Sequence, residues 1–211
     1  LAPAPADQPG TAIDSHTTAS ATGNLAEPGI DALHRDNFMA QLAPQAERAA
    51  AQLGVPVQAL LAQAALETGW GEKMIQRDNG SNSFNLFGIK ADARWRGERA
   101  TVVTSEYYDG RALRVRADFR AYDSYQQSFD DYVAFLRDNP RYRAVFENRH
   151  DVSTFASALQ RAGYATDPDY AQKIDAIARH MGDAASPAYT QLAALAASSP
   201  PPANTATVQQ P

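Results

Sequence analysis

The apolar run from Val57 to Leu66 constrains this chain more than any other stretch. Only Gln58 and Gln63 are polar within it, and they fall on different sides of a helical wheel. A helix that is apolar nearly all round belongs inside a domain, with other elements covering every face. Pro56 is placed to open it in the first turn, and Gly69 or Gly71 to end it. Its last turn delivers one carboxylate, Glu67, on the same side as Leu60 and Ala64, two inward-facing positions. Desolvation and the negative end of the helix dipole both disfavour an ionised Glu there. The competing reading is a solvated Glu just past the end of a buried helix.

The surrounding pattern is mainly helical, with one hairpin. Phe38, Met39, Leu42, Ala46, Ala49, Ala50 and Leu53 recur at helical spacing from about Asp36, with Pro44 as a kink and Gly54 as a stop. Phe129, Tyr132, Val133 and Leu136 predict a helix starting after Ser124 and broken at Asn139-Pro140. Tyr142, Val145 and Phe146 predict a short helix. Val152, Phe155, Ala156 and Leu159 predict another, capped near Asp151 or Ser153. Asp167 as N-cap and Pro168 in the first turn start a last helix, with Tyr170, Ile174, Ile177 and Met181 inward and an end near Gly182.

Asp109-Gly110 is a two-residue turn signal joining strands Ala100 to Tyr108 and Arg111 to Phe119. Pairing Tyr108 with Arg111 sets Glu106 opposite Leu113, on the more apolar face with Ala100, Val102 and Thr104. A slip of one residue turns Glu106 outward, and an edge Glu near a solvated tip is the alternative. A two-stranded lobe is marginal unless packed on helices, so this hairpin is expected to move relative to the helical core.

Residues 1–30 lack aromatics and cannot bury enough apolar area to offset ordering entropy, so they predict a linker. Residues 31–183 form the expected domain, and 184–211 an Ala/Pro-rich tail. The chain opens at Leu1 inside that linker. It reads as a piece of a longer exported protein, with any targeting signal upstream.

Several chemistries drop out on composition. With no cysteine there is no disulfide framework, zinc-thiolate site or thiol nucleophile. The four histidines are scattered, without a His-Glu-x-x-His pair, and neither a Gly-x-Ser-x-Gly elbow nor a phosphate-binding glycine loop occurs. No metal and no cofactor are expected. A net charge of −5 gives no footprint for nucleic acid, and no apolar run approaches the roughly 18 residues of a membrane span. What remains is Glu67, Glu106 and aromatics able to stack on sugars: Trp70, Phe87, Trp95, Tyr107, Tyr108 and Tyr164. Taken singly, each such aromatic is more often packing than ligand contact, Phe87 above all. A carboxyl held neutral near pH 7 is what a glycosidase uses to protonate a leaving oxygen.

Four ordered motifs now carry a resemblance. They are Leu66-Glu67-Thr68-Gly69-Trp70-Gly71, Asn85-Leu86-Phe87-Gly88-Ile89-Lys90, the hairpin Ser105-Glu106-Tyr107, and Gly163-Tyr164-Ala165-Thr166-Asp167-Pro168 followed by Tyr170-Ala171. Together they resemble glycoside hydrolase family 73, the bacterial peptidoglycan N-acetylglucosaminidases, and within it the flagellar rod-assembly branch. The match spans about Asp36 to Gly182.

The resemblance implies a mainly α, lysozyme-like fold: a helical core lobe, a small β-hairpin lobe and a cleft between them. It implies Glu67 as general acid and Glu106 as the second carboxylate, activating water or stabilising a cation. Tyr164 matches a cleft tyrosine implicated in catalysis. Asn85, Phe87, Gly88 and Lys90 would form the sugar-binding floor, beside the aromatic candidates Trp70 and Tyr107. The implied substrate is peptidoglycan, in the periplasm. The implied partners are flagellar rod components, reached through an N-terminal region absent from this chain. Two rivals stand beside this reading. One is a lytic transglycosylase with a single Glu as acid and base; the other is a non-catalytic wall-binding module on the same fold.

Overall fold

The structure, a computed structural model, describes residues 28–108, 111–147 and 150–183, and side chains for 31–103, 116–147 and 150–181. Residues 1–27 of the predicted linker, the predicted tail and the Asp109-Gly110 turn lie outside the described residues, while residues 28–30, expected in the linker, form the start of the first helix. The elements in order are α1 (Pro28–Leu53), α2 (Val57–Thr68), β1 (Arg99–Tyr108), β2 (Arg111–Arg120), α3 (Tyr125–Asp138), a 3₁₀ helix (Pro140–Phe146), α4 (Val152–Arg161) and α5 (Tyr170–Asp183). The fold is helix-rich with one small antiparallel sheet, as expected.

The all-round apolar helix takes the centre. Ala59, Leu60, Leu61, Ala62, Ala64 and Ala65 are buried, and α2 packs against α1, α4 and α5. Each leucine enclosed this way contributes about 1.5–3 kcal/mol. Pro56 sits at the N-cap in extended conformation, one position before the first turn, where it needs no helical N–H. α1 starts well before the apolar periodicity does. Its residues 31–35 are exposed, so they carry no inward face for a sequence pattern to show.

The helix ends follow local chemistry. The Ser124 hydroxyl accepts from Gln127 N at 3.2 Å to open α3, and the Asp151 carboxylate accepts from Thr154 N at 2.8 Å to open α4. α5 begins at Tyr170, two residues later than a helix with Pro168 in its first turn. Asp167 still caps the turn that precedes it, accepting from Asp169 N at 2.9 Å.

β1 and β2 pair in the predicted register, with Tyr108 opposite Arg111 and Glu106 opposite Leu113. At the base, Ala100 and Phe119 on one face are fully buried while Val103 on the other is exposed. Segment 89–91 lies along β2: Ala91 N donates to Asp118 O at 2.8 Å, and Arg120 N to Ile89 O at 2.9 Å. Arg120 then ties the sheet to α3 through both Asp131 carboxylate oxygens at 2.9 Å, and Tyr122 Oη donates to the same group at 2.7 Å. The hairpin is therefore fastened at its base to the helical layer.

Tyr122, Tyr132, Tyr142, Tyr164 and Tyr170 are buried, and burial is the largest influence raising each hydroxyl above the ordinary tyrosine value. An unfolded tyrosine ionises near pH 10, so above that the folded state holds more protons than the unfolded one. Stability is then complete below about pH 10 and is lost as pH rises through the folded values. Phenolate absorbance from these rings and loss of helical circular dichroism are expected to coincide above about pH 10. Ionisation of all nine tyrosines with the helix signal intact would contradict this.

Candidate active site

Glu67 occupies the last turn of α2 and is half-buried, on the side of the fully buried Leu60 and Ala64. The helix then reverses through three left-handed residues: Gly69 (φ 56°), Trp70 (φ 59°) and Gly71 (φ 89°). Both Gly69 N and Trp70 N donate to Ala65 O, closing the helix end. Left-handed backbone is strained for a bulky residue such as Trp70 and persists only where its surroundings hold it. Here the ring meets Phe38 edge-on at 5.9 Å, and the Arg35 guanidinium lies 5.2 Å from the ring centroid. Thr68 adds a clasp: its buried hydroxyl donates to Ala64 O at 2.7 Å and accepts from Gly71 N at 3.0 Å. Gly71 itself is required, because a Cβ there would sit 3.1 Å from the Phe38 ring on a left-handed backbone.

Behind Glu67 runs a buried hydrogen-bond chain. Tyr132 Oη donates to Gln63 Oε1 at 2.6 Å, Gln63 Nε2 donates to Tyr170 Oη at 2.9 Å, and Tyr170 Oη donates to Glu67 Oε1 at 2.8 Å. Three helices supply it: α2 Gln63 and Glu67, α3 Tyr132, α5 Tyr170. Burial, and next the Glu67 charge, pushes the Tyr170 hydroxyl well above the ordinary tyrosine value, so it stays a proton donor.

The segment 83–91 borders this region, and Asn85 organises it. The buried Asn85 amide donates to Ile89 O at 3.0 Å and Arg120 O at 2.8 Å, and its oxygen accepts from Ile89 N at 3.1 Å. Leu86 N donates to the buried Ser128 hydroxyl at 3.2 Å. Gly88 is buried with φ 60°. The Phe87 ring is fully buried, stacked on Tyr132 at 3.9 Å and edge-on to Phe129 at 5.2 Å, so it presents core packing and no open platform. Tyr164 is buried too: its hydroxyl donates to Phe87 O at 2.7 Å and its ring stacks on Tyr170 at 6.0 Å.

The structure thus brings Glu67, Tyr164 and the 85–90 segment together around the end of α2. Trp70 lies next to them, and Lys90, half-buried, bridges to Phe119 on β2. The side chains of Glu106, Tyr107 and Tyr108 lie outside the described residues. Trp95 is committed elsewhere, with its ring 4.6 Å under the Arg120 guanidinium and its indole N–H donating to Glu98 O at 2.8 Å. Sequence reasoning missed Gln63 and Tyr170 as parts of the site. Gln63 did carry a signal, being a polar residue in the middle of a helix that is apolar nearly all round.

Helical enclosure, a paired hairpin and a carboxyl at the end of the central helix define a lysozyme-like hydrolase layout. The family model described as mannosyl-glycoprotein endo-β-N-acetylglucosaminidase matches residues 43–183, and the chain belongs to this family of glycoside hydrolases. The chain is 47% identical over 166 residues to the peptidoglycan hydrolase FlgJ of Pseudomonas aeruginosa, covering 79% of this chain and 40% of the relative. It is similar to a C-terminally truncated glycoside hydrolase domain of Salmonella typhimurium FlgJ, with TM-score 0.60, 46% identity, and 71% and 98% of the two chains covered. It is also similar to a peptidoglycan hydrolase mutant of Sphingomonas sp. A1, with TM-score 0.63, 43% identity, and coverage of 74% and 97%. The chain spans less than half the length of the full-length FlgJ relatives it matches.

Asn85→Ala removes three hydrogen bonds and strands Ile89 and Arg120 backbone groups in the interior. The expected loss of stability is about 2–4 kcal/mol, read from chemical denaturation. A loss below about 0.5 kcal/mol would show that the segment holds itself without Asn85.

Proposed function

We propose that this domain hydrolyses the β-1,4 bond between N-acetylglucosamine and N-acetylmuramic acid in peptidoglycan. The observation that carries the reading is Glu67: a carboxyl at the end of a buried helix, oriented by a tyrosine donor. Membership of a glucosaminidase family, and relatives named peptidoglycan hydrolases, support the substrate class. Glu67 gives its proton to the bridging oxygen as the bond from C1 to that oxygen breaks. Water then adds at C1 and gives up one proton, to Glu106 where that carboxylate activates it and otherwise back to Glu67, and exchange with solvent restores the starting protonation states. Glu106, on the hairpin, acts as the second carboxylate, activating that water or stabilising the cationic centre. Tyr164 braces the 85–90 segment through Phe87. Asn85, Gly88 and Lys90, with Trp70 and Tyr107, belong to the sugar-binding side of the cleft. The periplasm is the proposed location. Opening the wall for a flagellar rod is the proposed role, as the resemblance to the flagellar branch suggests; among the described residues no helix is long and apolar enough to cross a membrane.

Incubation of the chain with purified peptidoglycan, followed by mass spectrometry, tests this reading. Hydrolysis leaves N-acetylglucosamine at the new reducing ends. Anhydro products, lighter by one water, or binding without turnover would overturn it. Glu67→Gln is expected to fold normally and to lose about 10²–10⁴-fold in turnover. Near-normal turnover by the folded variant would remove Glu67 from the mechanism.

Glu106→Gln is expected to lower turnover at least about 10²-fold while glycan binding and melting temperature stay close to those of the unaltered chain. Full activity in that variant would leave Glu67 working with a substrate acetamide or another group, and the two-carboxylate account would fall.

A further inference from the structure

We infer that Tyr170 and Gln63 are positioning residues that determine which oxygen of Glu67 carries the proton it delivers. The inference rests on the general-acid role proposed for Glu67. It comes from counting protons in the buried chain.

A phenol hydroxyl has one proton to donate, and an amide has a donor end and an acceptor end. Tyr132 gives its proton to Gln63 Oε1, which turns the Gln63 NH₂ toward Tyr170. Tyr170 therefore receives on its oxygen, and its own proton goes to Glu67 Oε1. Rotating the Gln63 amide by half a turn would aim its oxygen at Tyr170 and its nitrogen at Tyr132. The Tyr132 proton would then lose its acceptor in the chain, and Gln63 would compete with Glu67 for the Tyr170 proton. Burying polar groups in such a mismatch is costly, so the network runs in one direction.

With that direction fixed, Glu67 Oε1 is an acceptor. A proton on Oε1 would meet the Tyr170 proton head to head. The acid's own proton is thereby placed on Oε2. Gln63, Tyr132 and Tyr170 are all buried on three separate helices, so the direction is set by packed elements rather than by a loop. Among the described residues, the titratable groups that feel the Glu67 charge include Tyr132 on α3, Tyr164 in the α4–α5 connection and Tyr170 on α5. Burial first holds all three above the ordinary tyrosine value, so each remains neutral while Glu67 titrates. Shape alone does not require the hydroxyl, since Phe fills the Tyr170 ring space.

The test is a carbon-13 NMR titration of the Glu67 carboxyl in the full chain, assigned with Glu67→Gln, alongside kinetics on purified peptidoglycan. A donor to the ionised carboxylate favours that form, so removing it in Tyr170→Phe is expected to move the Glu67 midpoint to higher pH. In the same variant kcat is expected to fall about tenfold with KM nearly unchanged, and the alkaline limb of kcat to follow the NMR midpoint. Gln63→Met is expected to shift the midpoint in the same direction by less. The double variant Gln63→Met/Tyr170→Phe should stay within about twofold of Tyr170→Phe, because Gln63 acts through Tyr170.

An unchanged Glu67 midpoint in Tyr170→Phe overturns the inference, and so do losses that multiply in the double variant. If Tyr170→Phe alone folds poorly, the triple variant Tyr132→Phe/Gln63→Met/Tyr170→Phe removes all three polar groups together and carries the same titration. The titration needs no substrate. A flat titration in a chain that still cleaves peptidoglycan defeats only this inference. Absence of turnover in the unaltered chain defeats the hydrolase reading instead.

Discussion

Beyond the exposed Gln58 of its first turn, α2 is enclosed so fully that a polar group at its middle cannot stand without a partner. α2 carries Gln63 into that setting, fully buried between α3 and α5. An unmatched amide there costs about 1–3 kcal/mol for each group left without a hydrogen bond. The fold answers with Tyr132 and Tyr170, one from each neighbouring helix. Because Tyr170 also donates to Glu67, the arrangement that satisfies the core orients the Glu67 carboxyl as well. Packing of the central helix and placement of the catalytic candidate are one constraint.

The hairpin depends on a second anchor. A two-stranded sheet alone is marginal, and this one is held at its base by three kinds of contact. The 89–91 segment adds backbone pairing to β2, Arg120 pairs with Asp131, and Trp95 and Phe135 stack on the guanidinium at 4.6 and 5.5 Å. Asn85 links this anchor to the loop beside Glu67, since one amide bonds both Ile89 and Arg120. Any closing movement proposed for the hairpin would therefore pivot above a fixed base, with the segment beside Glu67 staying in place.

Much of this was legible in the chain, because the informative signals were local. Gly69 ending α2, Ser124 and Asp151 as caps, and the register from Tyr108 opposite Arg111 each depend on a few consecutive residues. The start of α1 was not legible, because its exposed first turns have no apolar stripe. Trp95 and Phe87 were candidate sugar platforms by type alone; the stacking of half-buried Trp95 on Arg120 and the burial of Phe87 against Tyr132 depend on residues far along the chain. Tyr170 was visible as a motif position, but its role was not. Its partner Gln63 lies 107 residues away, and nothing local encodes that meeting. Glu106 was placed by register alone, and its surroundings lie outside the described side chains.

The distribution of buried polarity separates packing from function. Among the described residues, the buried polar side chains other than the tyrosines are Gln63, Thr68, Ser83, Asn85 and Ser128. Thr68 fixes Gly71 beyond the end of α2, Ser83 and Asn85 shape the start of the 85–90 segment, Ser128 holds Leu86 N, and Gln63 holds Tyr170. All five act on the end of α2, the hydroxyl beside Glu67, or the loop that borders it. Apolar residues of similar volume would pack these helices as densely without the desolvation cost. They would also leave the loop and the carboxyl without directional contacts. Hydrophobic packing sets where the helices lie, and it is indifferent to the rotation of a carboxyl by a few tens of degrees. Hydrogen bonds supply that direction, and the core holds them where direction matters to the proposed chemistry.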